Sequence, residues 1–352
     1  MQSIYSDIIA FRGTHVDFGY KQGTLLKHSQ LTRNREQQWK IRRPRFAIDI
    51  TEAKAAITDI APRIWEELTG FQQALGWPME KVLLEFGGYR VENVKSGCSI
   101  YTAKNYLIRN YDYHPKTYEG RFVLFQPADE GYAVIGPSQR VTGRMDGMNE
   151  KGLVLGYNFI HRKKPGSGFI CSMIGRLVLE TCANVNEAVA LLKRIPHRHS
   201  FSYVVLDASG ETNVIKATPR NVHVRKSRLC TNHFEEMQEE NRRALQDSYE
   251  RMEAMEQQES CIETAYDAYR MLNDKAQGVF STNYQNWAGT IHTAAYFPKE
   301  QTVWFGLGDE KKPVVFDFKA WLKGEELSQN RITGAVDTTL PFAHMSENVT
   351  RV

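Results

Sequence analysis

The sequence predicts an α+β fold in which mixed, largely antiparallel sheets are covered by helices. Three observations carry this. The first hundred residues place apolar side chains at helical spacing, residues 99–159 switch to strand-like alternation between polar turns, and helical and hairpin patterns then follow one another to the C-terminal third. Composition is that of a globular chain: 352 residues, 41% hydrophobic and 24% charged, without a low-complexity tract.

Residues 4–11 read as a strand. RGTHVDFGYKQGTLL sets Gly13, Gly19 and Gly23 around a turn into a helix that extends to about Arg43. After Glu52, the positions Ile57, Ile60, Ala61, Ile64, Leu68, Phe71 and Leu75 keep helical spacing. Pro62 starts a new helix, because proline is tolerated in a first turn and not in an interior. Gly76-Trp77-Pro78 breaks the pattern and 79–86 resumes it. Strand-like runs follow at 99–101, 106–111, 121–126, 132–135 and 152–159. Residues 170–195 read as one long helix. The runs 202–207 and 211–218, joined through Ser209-Gly210, read as a hairpin. A further strand ends at Leu229-Cys230-Thr231-Asn232. EEMQEENRRALQDSYERMEAMEQQES has few apolar residues, the pattern of a solvent-facing helix. GTIHTAAYFPKEQTVWFGLG is a second hairpin, and no internal repeat is visible.

Charge excludes some functions. The net charge is +4 and the basic residues are scattered. The densest group, Lys40-Ile41-Arg42-Arg43-Pro44-Arg45, reads as a solvated face rather than a nucleic-acid groove. The N-terminal stretch lacks the basic and apolar regions of a secretory leader, and no run has the length of a membrane span. Cysteines 98, 171, 182, 230 and 261 are odd in number and widely spaced, which fits a reducing cytoplasm better than a disulfide framework. His197-Arg198-His199 has no cysteine at metal-site spacing and reads as a structural loop. No metal or organic cofactor is expected.

The chemistry-bearing stretch is KSGCSIYTAKNYLIRNYDYHP, 95–115. Most free cysteines are small buried hydrophobes, and Cys171, Cys182 and Cys261 fit helical patterns in that way. Cys98 instead follows Gly97, and glycine permits backbone conformations other residues resist. A strained peptide bond before a thiol is open to attack by it. An N-to-S acyl shift and hydrolysis would then leave a chain starting at Cys98. Its α-amine, with a reference pKa near ~7.7–8.0, suits a general base at neutral pH, so one residue would supply nucleophile and base. Spacing alone leaves open a papain-type set drawn from Cys98, His199 or His233, and Asn232.

The residues that follow resemble a known group. GCS…LIRNYDY is similar to the nucleophile region of the cysteine N-terminal-nucleophile hydrolases, which include choloylglycine hydrolases and penicillin acyltransferase. RMDGMNEKGLVLGYNF (144–159) resembles the D-G-x-N-E-K-G-L…N-F segment of that group, and LCTNHF (229–234) its T-N segment. RGTHVDFGYKQG and IWEELTGFQQALGWPMEKVLLEF resemble the start of the penicillin acyltransferase-like branch. The resemblance covers nearly the whole chain and is weakest at 240–285. One departure is Ser99, where threonine is commoner.

The resemblance implies a four-layer αββα sandwich, with 1–97 a mostly helical segment that is cut off but retained and 98–352 the catalytic core. It implies cleavage between Gly97 and Cys98, with Cys98 the nucleophile through sulfur and the base through its freed amine. Arg109 would lie beside the thiol and favour thiolate. Asp112 would hold the α-ammonium, and Asn158 and Asn232 would form the oxyanion-hole pair. A late arginine is placed at Arg251, with Arg242 and Arg243 competing. Tyr20, Trp39, Tyr157 and Phe159 are pocket candidates whose plainer reading is core. The expected reaction is acyl transfer from a linear, non-peptide amide with an apolar acyl group through a Cys98 thioester. The alternatives are an acyl-CoA-dependent N-acyltransferase and a degenerate relative that binds acylated ligands without turnover. Expected partners are a small amide or acyl substrate, with no nucleic acid and no membrane span; a homo-oligomer is compatible with the sequence.

Overall fold

The computed structural model describes residues 1–42, 48–91, 97–160, 165–241, 246–286, 288–309 and 312–345, the side chains of 38–42 excepted. The basic group at 40–45 therefore lies outside the described side chains. In chain order the strands are β1 (Gln2–Gly13), β2 (Gly97–Ala103), β3 (Tyr106–Tyr113), β4 (Arg121–Pro127), β5 (Val134–Gln139), β6 (Gly143–Arg144), β7 (Asp146–Asn149), β8 (Val154–Phe159), β9 (Phe201–Leu206), β10 (Thr212–Ala217), β11 (Val222–Arg225), β12 (Leu229–Cys230), β13 (Thr282–Asn283), β14 (Ala288–Phe297), β15 (Thr302–Leu307), β16 (Val314–Asp317) and β17 (Arg331–Val336). The α-helices are α1 (His15–Leu26), α2 (Gln30–Arg42), α3 (Ile50–Thr58), α4 (Pro62–Leu75), α5 (Met79–Val82), α6 (Cys171–Thr181), α7 (Val185–Arg194), α8 (Gln246–Gln258), α9 (Ala265–Asn273) and α10 (Phe318–Leu322).

The described strands form two sheets. One runs β11-β10-β9-β8-β7-β5-β4-β1-β17, with β6 beside β5; the other runs β12-β2-β3-β14-β15-β16, with β13 beside β14. β1 is parallel to β4 and antiparallel to β17. Alternation along the strands sorts side chains into three apolar layers. Val123 and Phe125 of β4 pack with α1, α4, α6 and α7. Phe122 and Leu124 face the other sheet, where they join Cys98, Ile100 and Tyr111. The outer face of the second sheet, with Tyr101, Ile108 and Ala295, is covered by Met252 and Met255 of α8 and by Tyr269 and Leu272 of α9. Helix, sheet, sheet, helix is the four-layer αββα sandwich, and its class is α+β.

Segment 1–97 is not a layer of its own. β1 sits inside the first sheet, and α1 and α4 pack on each other so closely that a Cβ on Gly19 would overlap the Glu67 carbonyl oxygen. Gly19 and Gly23 thus lie within a helix, not around a turn, and their lack of a side chain permits the crossing. Buried charge crosses the same seam. Arg176 of α6 donates to Glu67 of α4 at 2.6 Å and also pairs with Glu180. His15 bridges Asp129 at 2.7 Å and Glu180 at 3.3 Å.

Three expected helices are corrected. The helix expected up to Arg43 is two, α1 and α2, separated at Lys27–Ser29. The helix expected over 170–195 is α6 and α7, because Asn184 caps α7 by accepting from the Glu187 N–H at 3.1 Å. The charged helix is shorter than expected, and α8 buries Ser248, Arg251, Met252 and Met255. Its outer face, with Asp247, Glu250, Glu253 and Glu256, is exposed as the composition predicts, and Ser248 and Arg251 are the polar residues it turns inward.

Candidate active site

The β2–β3 hairpin pairs Gly97 with Asp112, Cys98 with Tyr111, Ser99 with Asn110 and Ile100 with Arg109. Opposed residues of an antiparallel pair share a face. Cys98, Ile100, Arg109 and Tyr111 therefore point between the sheets, and Gly97, Ser99, Asn110 and Asp112 toward α8 and α9. The sulfur and the backbone around it are thus addressed from opposite sides of one sheet.

On the inner face, Arg109 Nη2 donates to Cys98 Sγ at 3.1 Å and to the Tyr157 carbonyl at 2.6 Å. Arg109 Nη1 pairs with Asp146, and both residues are fully buried. The guanidinium carbon lies 5.2 Å from the Tyr111 ring centre and 5.1 Å from that of Tyr157. Asp146 is oriented in turn by the Tyr296 hydroxyl and by His292, whose Nε2 is 3.4 Å away. Burial alone would raise the Asp146 carboxyl, but Arg109 holds it below its ordinary value. Burial pushes the Cys98 thiol up to about 11, with Arg109 pulling the other way.

On the outer face, Asp112 Oδ1 accepts from Thr290 Oγ1 at 2.6 Å. Its Oδ2 is 3.7 Å from Arg251 Nη1 and has no hydrogen-bond partner. Burial lifts the carboxyl to about 6 against the pull of Arg251. Arg251 donates through Nη1 to the Cys98 carbonyl and to Ser99 Oγ, both at 2.7 Å, and through Nη2 to Asn232 Oδ1 at 3.0 Å and Asp247 at 2.8 Å. The serine that departs from the usual threonine therefore supplies an acceptor to this arginine. Arg242 and Arg243 lie outside the described residues.

The Cys98 backbone N–H donates to Asn232 Oδ1 at 2.7 Å, while Asn232 Nδ2 donates to the Phe159 carbonyl at 2.9 Å. Asn158 Nδ2 donates to the carbonyls of Cys230 at 2.9 Å and Thr231 at 3.2 Å, and its Oδ1 is buried without a partner. Asn158 thus fixes the turn that carries Asn232. Both Asn158 N–H groups have carbonyl partners, and one of Asn232's goes to Phe159.

Gly97 opens β2 and is not in the left-handed region. The expected reason for glycine, an unusual backbone conformation, gives way to crowding: a Cβ here would lie 3.2 Å from Ala288 Cβ and 3.3 Å from Asp112 Cβ. The papain-type set is not assembled. No imidazole is among the partners of Cys98 in the described residues. His233 Nδ1 is engaged by Ser248 at 2.9 Å and Thr231 at 3.1 Å, and His199 lies edge-on to Phe159 and Phe201. Of the pocket candidates, Tyr157 and Phe159 are core, Tyr20 is 52% exposed, and the Trp39 side chain is outside the described set. Sequence reasoning missed Asp146, Thr290, His292 and Tyr296. Asp146 carried a signal, as the aspartate of DGMNEKG. Among the described residues no group of three metal-ligating side chains converges, and no helix is long and apolar enough to cross a membrane.

An αββα sandwich of two largely antiparallel sheets between helices is the fold of the N-terminal-nucleophile hydrolases. The profile of the acyl-coenzyme A:6-aminopenicillanic acid acyl-transferase family matches residues 101–312, and the chain belongs to that family. The match spans Arg109, Asp112, Asn158, Asn232 and Arg251, and it begins past Gly97 and Cys98. No curated protein matches the sequence. Among solved structures, penicillin V acylase from Agrobacterium tumefaciens is similar with a TM-score of 0.45 at 15% identity, over 62% of this chain and 84% of its own. A mutant of conjugated bile acid hydrolase from Clostridium perfringens gives 0.44 at 15%, over 71% and 100%. The Caenorhabditis elegans ortholog of N-acylethanolamine-hydrolyzing acid amidase gives 0.38 at 14%, over 58% and 93%.

Proposed function

We propose that the chain cuts itself between Gly97 and Cys98 and then hydrolyses linear amides through a Cys98 thioester. The observation that carries this is the separate handling of one residue's three groups: Arg109 on the sulfur, Asn232 on the nitrogen and Arg251 on the carbonyl oxygen. A core cysteine needs partners for its backbone N–H and carbonyl, but not an arginine on its sulfur or charged and carboxamide side chains from two other elements converging on it.

In the first step the Cys98 sulfur attacks the Gly97 carbonyl, the C–N bond breaks, and the thiol proton passes to the departing nitrogen. Water then hydrolyses the thioester, leaving a Gly97 carboxylate and a free α-amine on Cys98. That amine keeps Asn232 Oδ1 as acceptor and gains the unpartnered Oδ2 of Asp112, so its position is set before it exists. In turnover the amine takes the thiol proton, the thiolate attacks the substrate carbonyl beside Arg109, and the leaving amine departs with a proton. Water resolves the thioester to a carboxylic acid. Each oxyanion donor in such a site contributes roughly 2.7–4 kcal/mol. For Asn158 to serve in that way, an N–H must leave the Cys230 or Thr231 carbonyl, whereas the Asn232 amide has a second N–H besides the one on Phe159.

Intact mass of the purified protein tests the first step, with pieces 1–97 and 98–352 expected. Release of amine from a panel of acyl amides tests the second. An active enzyme that remains one chain would refute the mechanism. The family description favours one other reading, transfer of an acyl group from an acyl-CoA to an amine. Product acid without an acceptor amine supports hydrolysis, and strict dependence on the acceptor supports transfer.

A further inference from the structure

Acyl transfer leaves unused a cleft of about 810 Å³ along β1. β17 pairs with β1 as far as Asp7, and the Ile8 N–H donates to the Asn330 carbonyl at 2.9 Å, so the edge opens beyond Ile8. α1, the start of α2, the turn before β4 and the residues before β17 enclose that edge. Ile9, Leu25, Leu26 and Leu31 contribute apolar wall, and Asp7, Lys21, Glu119, Arg121 and Arg331 contribute charge.

Both carboxylates are committed. Asp7 Oδ1 accepts from Arg331 Nε and Nη2, each at 2.7 Å, and the Arg331 guanidinium lies 3.9 Å over the Tyr5 ring. Glu119 receives Arg35 through one oxygen and the Val141 N–H, at 2.8 Å, through the other. Lys21 reaches the Ala10 carbonyl at 3.5 Å, and its Nζ lies 5.1 Å over the Phe11 ring. Arg121 is the exception. It is 6% exposed, its one hydrogen bond goes from Nη2 to Gln22 Oε1 at 2.9 Å, its Nε is buried without a partner, and no described carboxylate pairs with it. Burial draws it down to about 10, so it is still a cation at neutral pH. Glu119, Asp7 and Glu67 act on it only from beyond ion-pair distance, and a buried guanidinium with a free edge on an apolar-walled cleft is the complement of an oxyanion on a small apolar body.

We infer that the β1 cleft binds a small amphiphilic oxyanion, a carboxylate or phosphate group on a short apolar chain, with Arg121 as its charge partner and Lys21 at its side. None of the lining residues belongs to the cluster around Cys98, so this is a second site that stands whether or not the amide-hydrolysis reading does.

The test uses full-length protein carrying Cys98→Ala, titrated at matched ionic strength with sodium octanoate, octanamide and inorganic phosphate, read by calorimetry and thermal shift. Octanoate should bind saturably and octanamide at least tenfold more weakly. Arg121→Gln should weaken octanoate at least tenfold. Because Arg121 is buried, Leu25→Trp serves as a second variant: Leu25 is 52% exposed, so tryptophan there fills the cleft while leaving the core intact. It should block octanoate with an unchanged melting profile. Phosphate bound more tightly than octanoate assigns the oxyanion to phosphate and leaves the site in place. Equal binding of octanoate and octanamide, unchanged binding in both variants, or no saturable binding of either anion overturns the inference.

Discussion

The most discriminating perturbation is Asp112→Asn in a Cys98→Ala background, where neither cleavage nor turnover can intervene. Burial raises the Asp112 carboxyl from 3.8 to about 6. A carboxyl whose folded value lies above its unfolded value stabilises the fold in its protonated form. The contribution is therefore complete below pH 3.8 and is lost as pH rises through about 6. Each tenfold change in acid strength between the folded and unfolded chain is worth about 1.4 kcal/mol, so the loss is on the order of 3 kcal/mol. For a chain of this length that is roughly 4 °C in melting temperature. Asparagine keeps an oxygen for Thr290 and has no proton to lose. Melting temperatures of Cys98→Ala and Cys98→Ala/Asp112→Asn, measured from pH 3 to 8, should diverge between pH 4 and 6, with the Asn protein the more stable above that window. Other titrations cancel in the difference. Parallel curves over the whole range would refute the reasoning, since they would mean that Asp112 is not held in a low-dielectric site beside Gly97.

Four further outcomes are expected. Gly97→Ala forces a Cβ against Ala288 and Asp112; it should lower stability by about 1–3 kcal/mol and slow cleavage in a mass time course, and wild-type kinetics would remove crowding from the account. Asp146→Asn strands the buried Arg109 charge and should cost about 3–5 kcal/mol in urea unfolding, with slower alkylation of Cys98; an unchanged alkylation rate would show that Asp146 does not position Arg109. Cys98→Ser should still cleave slowly but lose turnover, whereas Cys98→Ala stays one intact, inactive chain; an acyl analogue that labels Cys230 rather than Cys98 would reinstate a Cys–His mechanism. After cleavage the two pieces should co-elute in gel filtration, because β1 lies between β4 and β17.

The alternation at 99–135 and the two hairpins were legible because strand period and turn chemistry are local. Cys98 stood out locally because it follows Gly97, but Arg109 and Asp112 took their roles only from the resemblance, although one hairpin carries all three. Arg251 too was placed through the resemblance, in a helix whose composition reads as solvated. Thr290, His292 and Tyr296 were invisible: β14 meets β3 through pairing across nearly two hundred residues, and nothing in GTIHTAAYF marks which side chains turn toward Asp112 or Asp146. The break between α6 and α7 was missed because apolar spacing continues across it, and a single asparagine cap decides the boundary.

The place of β1 has a consequence for the history of the molecule. In the intact chain, insertion of this strand between β4 and β17 is an intramolecular closure, favoured by the tether through residues 14–97. A cut before Cys98 would erase that tether while leaving every contact in place. The folded protein would be no less stable to inspection, yet its return from the unfolded state would become a second-order reaction that slows on dilution. Self-cleavage would then act as a ratchet, with the route by which the molecule was built closed behind it. Persistence of the mature enzyme would be governed by its unfolding rate and not by the balance of folded and unfolded chains.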